Sequence, residues 1–535
     1  MVRPPLTATS HRPLLIALAV VLLLYGVALW AGWPQHGART VAAQAHPPGK
    51  PEAHAPLRAH PPYWAVLPFV LLLGAIAVFP LVPRAASWWQ GNLQRFYVAA
   101  GLGAITLMFY LVLYRQPVPL HWPVERTVEP GPGPLGLATT AAVLANAILG
   151  EYVPFIVLLF SLYTISGGIR VEGDLPAHPL TNTLFLAVGG VLASILGTTG
   201  AAMLLIRVLL ETNRERKHVA HTVVFFIFIV CNCGGCLTPL GDPPLFLGYL
   251  RGVPFLWPLR LWPEWLLVNG ALLAIYYLWD HFWAYRRETP RDIRLDETRV
   301  HRLRFSGIWP GAVLLAGVVL SIALLDPSTP LPGTGWHPWL FLREIVQLVL
   351  VGLSLLLGKP APRRQNRFNY HAIVEVAVLF LGIFITVQPA LQILHVEGKS
   401  LGLSRPAHFF WAAGSLSSVL DNAPTYVVFL ETARGLDAGA EPADGPEPAD
   451  GLDLGDGPRA ERRVAGVPES LLVAISLGAV FGGAMTYIGN GPNFMVRAIA
   501  EEAGVRMPSF FGYLLYSFGV LLPLFALTTW LFFTP

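Results

Sequence analysis

Charge is what this sequence has least of. Asp, Glu, Lys and Arg together make up 13% of its 535 residues, against about a quarter in ordinary soluble domains. Such a chain cannot cover a water-facing surface of normal extent, and a conventional soluble domain is excluded. No basic run interleaved with aromatics occurs, so no nucleic-acid partner is expected. Cysteine is almost missing: Cys231, Cys233 and Cys236 are the whole supply and lie within six residues of one another, which rules out the disulfide framework of an exported domain. Their C-x-C-x-x-C spacing could hold a soft metal. No fourth cysteine exists, only His218 and His221 upstream, and the plainer reading is small residues where bulk cannot fit. No phosphate-binding glycine loop, nucleophile triad or H-E-x-x-H helix is present. An enzyme, an ATP-driven pump or a resident cofactor or transition metal is therefore not expected.

What is present is apolar residue, at 54% of the chain, with a mean hydropathy of +0.55. Runs long enough to cross a hydrocarbon core recur about ten times, each near the ~20 residues that a spanning helix needs. The fold class expected is an all-α polytopic membrane protein, and lipid is its first partner. After Arg12 comes LLIALAVVLLLYGVALWAGW, followed by a stretch containing Ala43-Gln44-Ala45. Residues 1–45 read either as a signal peptide with an A-x-A cleavage site or as an uncleaved anchor helix. Residues 46–62 then form an extracytoplasmic linker.

The positive-inside rule gives one consistent layout. A first membrane half covers 63–283. The loop 284–305 carries seven arginines against four acids and marks the cytoplasmic side. A second half covers 306–535, with a span from 371 to 395. Two apolar segments are interrupted too early to span. The first, 183–211, breaks at Gly197-Thr198-Thr199-Gly200 into arms of about 14 residues, roughly 21 Å each at helical rise, which suits a re-entrant hairpin. The second, 408–433, breaks at Leu420 to Pro424 and leads into an acidic, Gly/Pro/Ala-rich loop, 435–463.

Two further segments, 219–250 and 470–500, are broken helices, and comparing them exposes an internal repeat. GGCLTPLGDPPLF from Gly234 and GGAMTYIGNGPNF from Gly482 share G-G-x-x-T-x-x-G-[DN]-x-P-x-F at a constant offset of 248. Thr238 pairs with Thr486, Gly241 with Gly489 and Asp242 with Asn490. The hairpins also end alike, in LLETN and FLETA. The first copy runs outward and the second inward, so the repeats are inverted.

Gly and Pro interrupt the helix and free carbonyls and amides that hydrocarbon cannot satisfy, so each break must line a protein cavity or coordinate something. Carbonyl ends of half-helices suit cations and amide ends suit anions. Asp242 and Asp421 add negative charge there, at about 2.5–3.5 kcal/mol each if uncompensated. A cation or a proton would compensate it, and competition between the two for one carboxylate couples their fluxes. Asp242 and Asp421 are each also placed to cap a helix, and the tip hydroxyls to satisfy freed backbone groups.

SSVLDNAPTY, TPLGDPPLF and TYIGNGPNF resemble motifs of the ion transporter superfamily, in particular its bacterial branch of sodium:proton antiporters and citrate carriers. The resemblance covers roughly residues 60–535. It implies a homodimer in a bacterial inner membrane whose protomers each hold a scaffold part and a moving transport part, with one Na⁺ at each tip-and-break pair. One site would comprise Thr198, Thr199, Asn232, Thr238, Gly241 and Asp242. The other would comprise Ser417, Ser418, Asp421, Asn422, Thr486, Gly489 and Asn490. The first tip reads GTTG where carboxylate carriers of the family usually carry Ser-Asn-Thr. The activity expected is Na⁺ (or Li⁺) exchange for H⁺, with Na⁺-coupled uptake of citrate or another small carboxylate as the alternative. Glu375 is a candidate proton relay, or else an interfacial partner of a loop arginine. Glu151 and Glu344 read as interfacial. Arg207 reads as snorkelling to the interface, or as holding an anionic substrate.

Overall fold

A computed structural model describes residues 12–45, 60–298, 304–366, 368–436 and 462–534. The candidate cleavage site falls at the end of the helix Trp33–Ala45. Most of the linker 46–62, part of the basic loop and nearly all of the acidic loop lie outside the described residues. Of the described residues 74% are helical, and the chain is an all-α polytopic membrane protein with no sheet among those residues beyond three two-stranded ribbons. Among the described residues seven helices are long and apolar enough to span a membrane, and Tyr63–Val78, Ile308–Leu324 and Glu469–Met485 are apolar but shorter. The segment read as one span from 371 to 395 bends by 44° between His371–Thr386 and Gln388–Leu401. Pro389 is the reason, since it has no N–H to continue the helical ladder.

The first hairpin consists of Pro179–Leu196 and Thr198–Thr212, and the second of Pro406–Val419 and Asn422–Gly435. The first arm of the first hairpin, read as about 14 residues and too short to span, is 18 residues long and counts among those seven helices, because Pro179 opens it at its first turn, where a missing N–H costs nothing. Gly197 turns the first tip at φ +80°, a conformation that needs glycine.

Each hairpin packs on a broken helix. The first broken helix runs Ala220–Ile229, then a short turn Cys233–Leu237, then Pro243–Leu250; the second runs Glu469–Gly482, Gly483–Met485, then Gly491–Glu502. Backbone angles repeat with the sequence pattern. Thr238 and Thr486 are both extended, at φ/ψ −141°/159° and −137°/167°, and so are Asp242 and Asn490, at −141°/143° and −150°/138°.

Close backbone contact holds each hairpin to its partner. A Cβ on Gly234 would lie 2.6 Å from Gly190 Cα, and one on Gly482 would lie 2.4 Å from the Gly414 carbonyl oxygen. Gly234 and Gly482 are equivalent in the repeat, so the same small-residue seam is built twice. Of the residues in Ala220–Leu237 89% are buried, against at most 39% in the most apolar stretch of each of the other six helices long enough to span. The broken helices thus lie inside protein, where backbone freed from the helical ladder finds partners.

Around this inner unit stands a second set of helices, among them Asn92–Met108, Val153–Ser166, Leu342–Leu357 and His371–Thr386. The ribbon pairing Arg170 with Ser306 and Glu172 with Arg304 ties the segment after Val153–Ser166 to the end of the basic loop. Both therefore lie on one face of the helical array.

Candidate ion site

Asp242 is 1% exposed and sits where all four interrupted elements meet. Its extended backbone and the following prolines place it just ahead of the half-helix Pro243–Leu250. Its carboxylate points away from that helix and caps nothing there. Thr198 of the first hairpin tip donates its hydroxyl to Oδ1 at 3.0 Å. Asn490 of the second broken helix donates to the same oxygen at 3.1 Å, and Asn422 of the second hairpin tip donates to Oδ2 at 2.5 Å. Every donor is neutral. A buried carboxylate supplied only with neutral donors keeps its charge uncompensated, and a proton or a metal cation lowers that cost.

Amides form the next layer. The Asn490 side chain also donates to Asn232 Oδ1 at 3.2 Å and to the Cys231 carbonyl at 3.0 Å. Asn232 donates to Asn493 Oδ1 at 2.8 Å and to the Ile227 carbonyl at 2.8 Å. Asn493 in turn donates to the carbonyls of Gly483 and Thr486, at 2.8 and 2.9 Å. Asn422 Oδ1 is buried and accepts no hydrogen bond. A Cβ on Gly483 would stand 3.0 Å from Asn232 Oδ1, 3.3 Å from the Gly489 carbonyl oxygen and 3.5 Å from the Asn422 amide nitrogen. Carboxylate, amide and carbonyl oxygens gathered round a small gap are the donor set that hard monovalent and divalent cations take.

The family resemblance implies two separate tip-and-break sets for these residues. The structure instead crosses them, because Asn422 and Asn490 of the second set both donate to Asp242 of the first. Thr238 and Thr486 lie away from the carboxylate. Thr238 donates to the Ser194 carbonyl and accepts from the Leu240 N–H; Thr486 donates to the Ser418 carbonyl at 2.5 Å and accepts from the N–H groups of Ile488 and Gly489. Each threonine therefore knots a break to a hairpin. The Ser417 hydroxyl donates to the Ala479 carbonyl at 2.6 Å, and the Ser418 hydroxyl turns back to Ser415 of its own helix. The Gly241 carbonyl accepts the Thr198 N–H at 2.7 Å. Asp421 caps its own helix by accepting the Ala423 N–H at 3.1 Å.

Asn493 and Ser194 were not singled out from sequence. Ser194 donates to the Gly234 carbonyl at 2.6 Å and accepts the Leu237 N–H, holding the first break to its hairpin. Asn493 carried a signal, an amide inside TYIGNGPNF where the other copy has Leu245. Ser194 carried none beyond its place one turn before the tip.

Beside Asp242 opens a cavity of about 550 Å³. Thr198, Thr199, Gly241, Asp242, Asp421 and Asn490 form one wall, and Trp89, Arg95, Phe155, Leu158, Glu375 and Phe380 belong to the other. Glu375 is ion-paired with Arg95 at 2.8 Å, an arginine of a spanning helix rather than of a loop. Glu151 and Glu344, read as interfacial, form ion pairs with Arg251 and Arg343, each at 2.6 Å, with side chains 13% and 7% exposed. The arginines arrive from sequence-distant or helix-starting positions that hydropathy does not connect to them. Arg207 lines a separate polar cavity at the far end of the first hairpin, remote from the tips. The three cysteines are free and buried in the first break, and no group of three or more His, Cys, Asp or Glu side chains placed to hold a metal occurs among the described residues.

A family model described as "Putative citrate transport" matches residues 131–533, a stretch that contains both hairpins and both broken helices. No curated protein matches the chain.

Proposed function

The chain belongs to this citrate transport family and is a multi-pass membrane transporter; from that premise we propose that it exchanges Na⁺ or Li⁺ for H⁺ by alternating access in a bacterial inner membrane, as a homodimer. The observation that carries the reading is the Asp242 carboxylate, buried among Thr198, Asn422 and Asn490 with no cationic partner among the described residues. A proton and a metal cation both compensate that charge, and they exclude each other there. Mutual exclusion at one carboxylate suffices to couple opposed fluxes when the site faces the two sides of the membrane in turn. Asn422 Oδ1, Asn232 Oδ1 and the Gly489 carbonyl supply further oxygens for the ion, with Asp421 at the cavity wall as the second acid.

The family description favours a second reading, Na⁺-coupled uptake of citrate or a similar carboxylate at the same site. The cavity's charges argue against it. Arg95 and Arg497 of the lining are each paired with a glutamate, Glu375 and Glu501. A tricarboxylate would meet Asp242 and Asp421 with no unpaired cation to offset them.

Reconstituted protein in vesicles decides between the two. Exchange predicts that external Na⁺ releases internal H⁺, that Asp242→Asn abolishes this, and that labelled citrate does not accumulate under Na⁺ or pH gradients. Citrate accumulation driven by Na⁺, with no proton counterflow, would reverse the assignment.

A further inference from the structure

The cavity next to Asp242 is much larger than an alkali ion or a proton needs. Its volume, about 550 Å³, lies within the ~300–1,000 Å³ range of sites that enclose drug-sized organic molecules. Apart from the Arg95–Glu375 pair, the rest of the lining is mostly apolar: Leu159, Val376, Phe494, Met495 and Phe510 are accessible there, and Phe155 and Phe380, stacked with ring centroids 4.7 Å apart, are buried behind them.

Charge is distributed unequally over this space. Both arginines of the lining are already matched, Arg95 to Glu375 at 2.8 Å and Arg497 to Glu501 at 2.9 Å. The two acids on the ion-site wall are not. Asp242 receives only hydroxyl and amide donors, and Asp421 receives only the Ala423 N–H. A ligand that suits both walls must bring a positive charge to one and an apolar body to the other. A carboxylate ligand faces repulsion from the acids, and a lipid tail covers the apolar wall but leaves the acids without a counter-charge.

We propose that this cavity also admits hydrophobic organic cations of drug-like size, whose charge rests against Asp242 and Asp421 and whose body lies on the accessible apolar lining that includes Leu159 and Val376. Such a cation gains from burial of its apolar surface and from pairing with acids that are otherwise uncompensated. It competes with Na⁺ and with H⁺ for the same carboxylate, so it is exchanged for protons in the same cycle. The inference rests on the reading of Asp242 as an exchangeable-cation site.

Ethidium, a planar cation that brightens in apolar surroundings, tests it on the full-length purified protein at alkaline pH without Na⁺. The expected result is saturable binding to one site per chain, displaced by Na⁺ and by acid, and weakened about tenfold or more by Asp242→Asn and by Asp421→Asn. Leu159→Trp, which fills the cavity without touching a hydrogen-bond partner of Asp242, is expected to weaken it about fivefold and carries the test should the aspartate variants fail to fold. Binding that ignores Na⁺, acid and all three substitutions overturns the proposal and marks an apolar groove filled by lipid or detergent. Absence of saturable binding in protein whose Na⁺/H⁺ exchange is intact also overturns it, and leaves the exchange reading standing. Aspartate-dependent ethidium binding in protein that shows no Na⁺/H⁺ exchange keeps the organic-cation site and removes Na⁺ as the substrate.

Discussion

Asn490 donates its side-chain amide to Asp242 across 3.1 Å, and the two occupy the same position of the two repeats, 248 residues apart. Residues related by an internal two-fold that touch each other lie next to its axis. The symmetry therefore brings two equivalent side chains into contact at the centre of the inner unit, and only one of them carries a charge. A second aspartate there would put two carboxylates about 3 Å apart, where both cannot be ionised without a shared proton or cation.

Asn490→Asp tests that geometry. The variant is expected to fold only with a cation or proton between the two acids, so Na⁺ should raise its melting temperature more steeply than that of the parent protein. Thermal unfolding in detergent across a Na⁺ series measures it. Equal Na⁺ dependence in the two proteins would mean that the two side chains do not face one another.

Asp242→Asn keeps the shape of the side chain and removes its charge. Na⁺-dependent proton exchange should fall by about a hundredfold or more, the order expected when a site loses its most buried counter-charge, while the protein still purifies as a folded species. Asn422→Ala should be milder. It removes the 2.5 Å donor to Oδ2 and the unpartnered Oδ1 together, costing about 1–3 kcal/mol of Na⁺ affinity. Na⁺ titration of exchange rates separates the two.

Gly482→Ala probes the doubled seam. Its Cβ would lie 2.4 Å from the Gly414 carbonyl oxygen, which is backbone and cannot swing away. The expected loss is about 1–3 kcal/mol, visible as a lower melting temperature. Gly491→Ala, in the same broken helix but with nothing within 4 Å of its Cβ, serves as the neutral comparison.

Arg251→Met should destabilise more than Glu151→Gln. Arg251 holds Glu151 and Glu431, each at 2.6 Å, whereas Glu431 also has Arg434 at 2.8 Å. Removing the arginine strands Glu151 as a buried charge, at about 3–5 kcal/mol; neutralising Glu151 leaves Arg251 with Glu431. Adding Glu151→Leu to Arg251→Met should recover part of the loss, and melting temperatures of the three variants check the order.

Much of this architecture could be read from the chain alone, because its causes are local. Glycine and proline at 197–200, 234–244, 424 and 482–492 dictate where helices stop, and the repeated spacing from Gly234 and Gly482 dictates that they stop twice in the same way. The composition, with so little charge, determined the solvent. Lengths were less legible: Pro179 extends the first hairpin arm, and Pro389 bends a helix that hydropathy reads as straight, since hydropathy registers apolarity and not the missing N–H.

The partners of Asp242 were decided only by tertiary structure. The family resemblance implies Thr198 with the first break and Asn422 with the second, yet both donate to one carboxylate, because the two repeats interleave and bring both tips to it. Glu151 likewise meets its arginine, Arg251, only through folding, 100 residues along the chain, whereas Glu344 pairs with its own neighbour, Arg343. Sequence periodicity reports which backbone is interrupted and which residues are polar there. Which of those residues share a single charge depends on how two halves, 248 residues apart, close on each other.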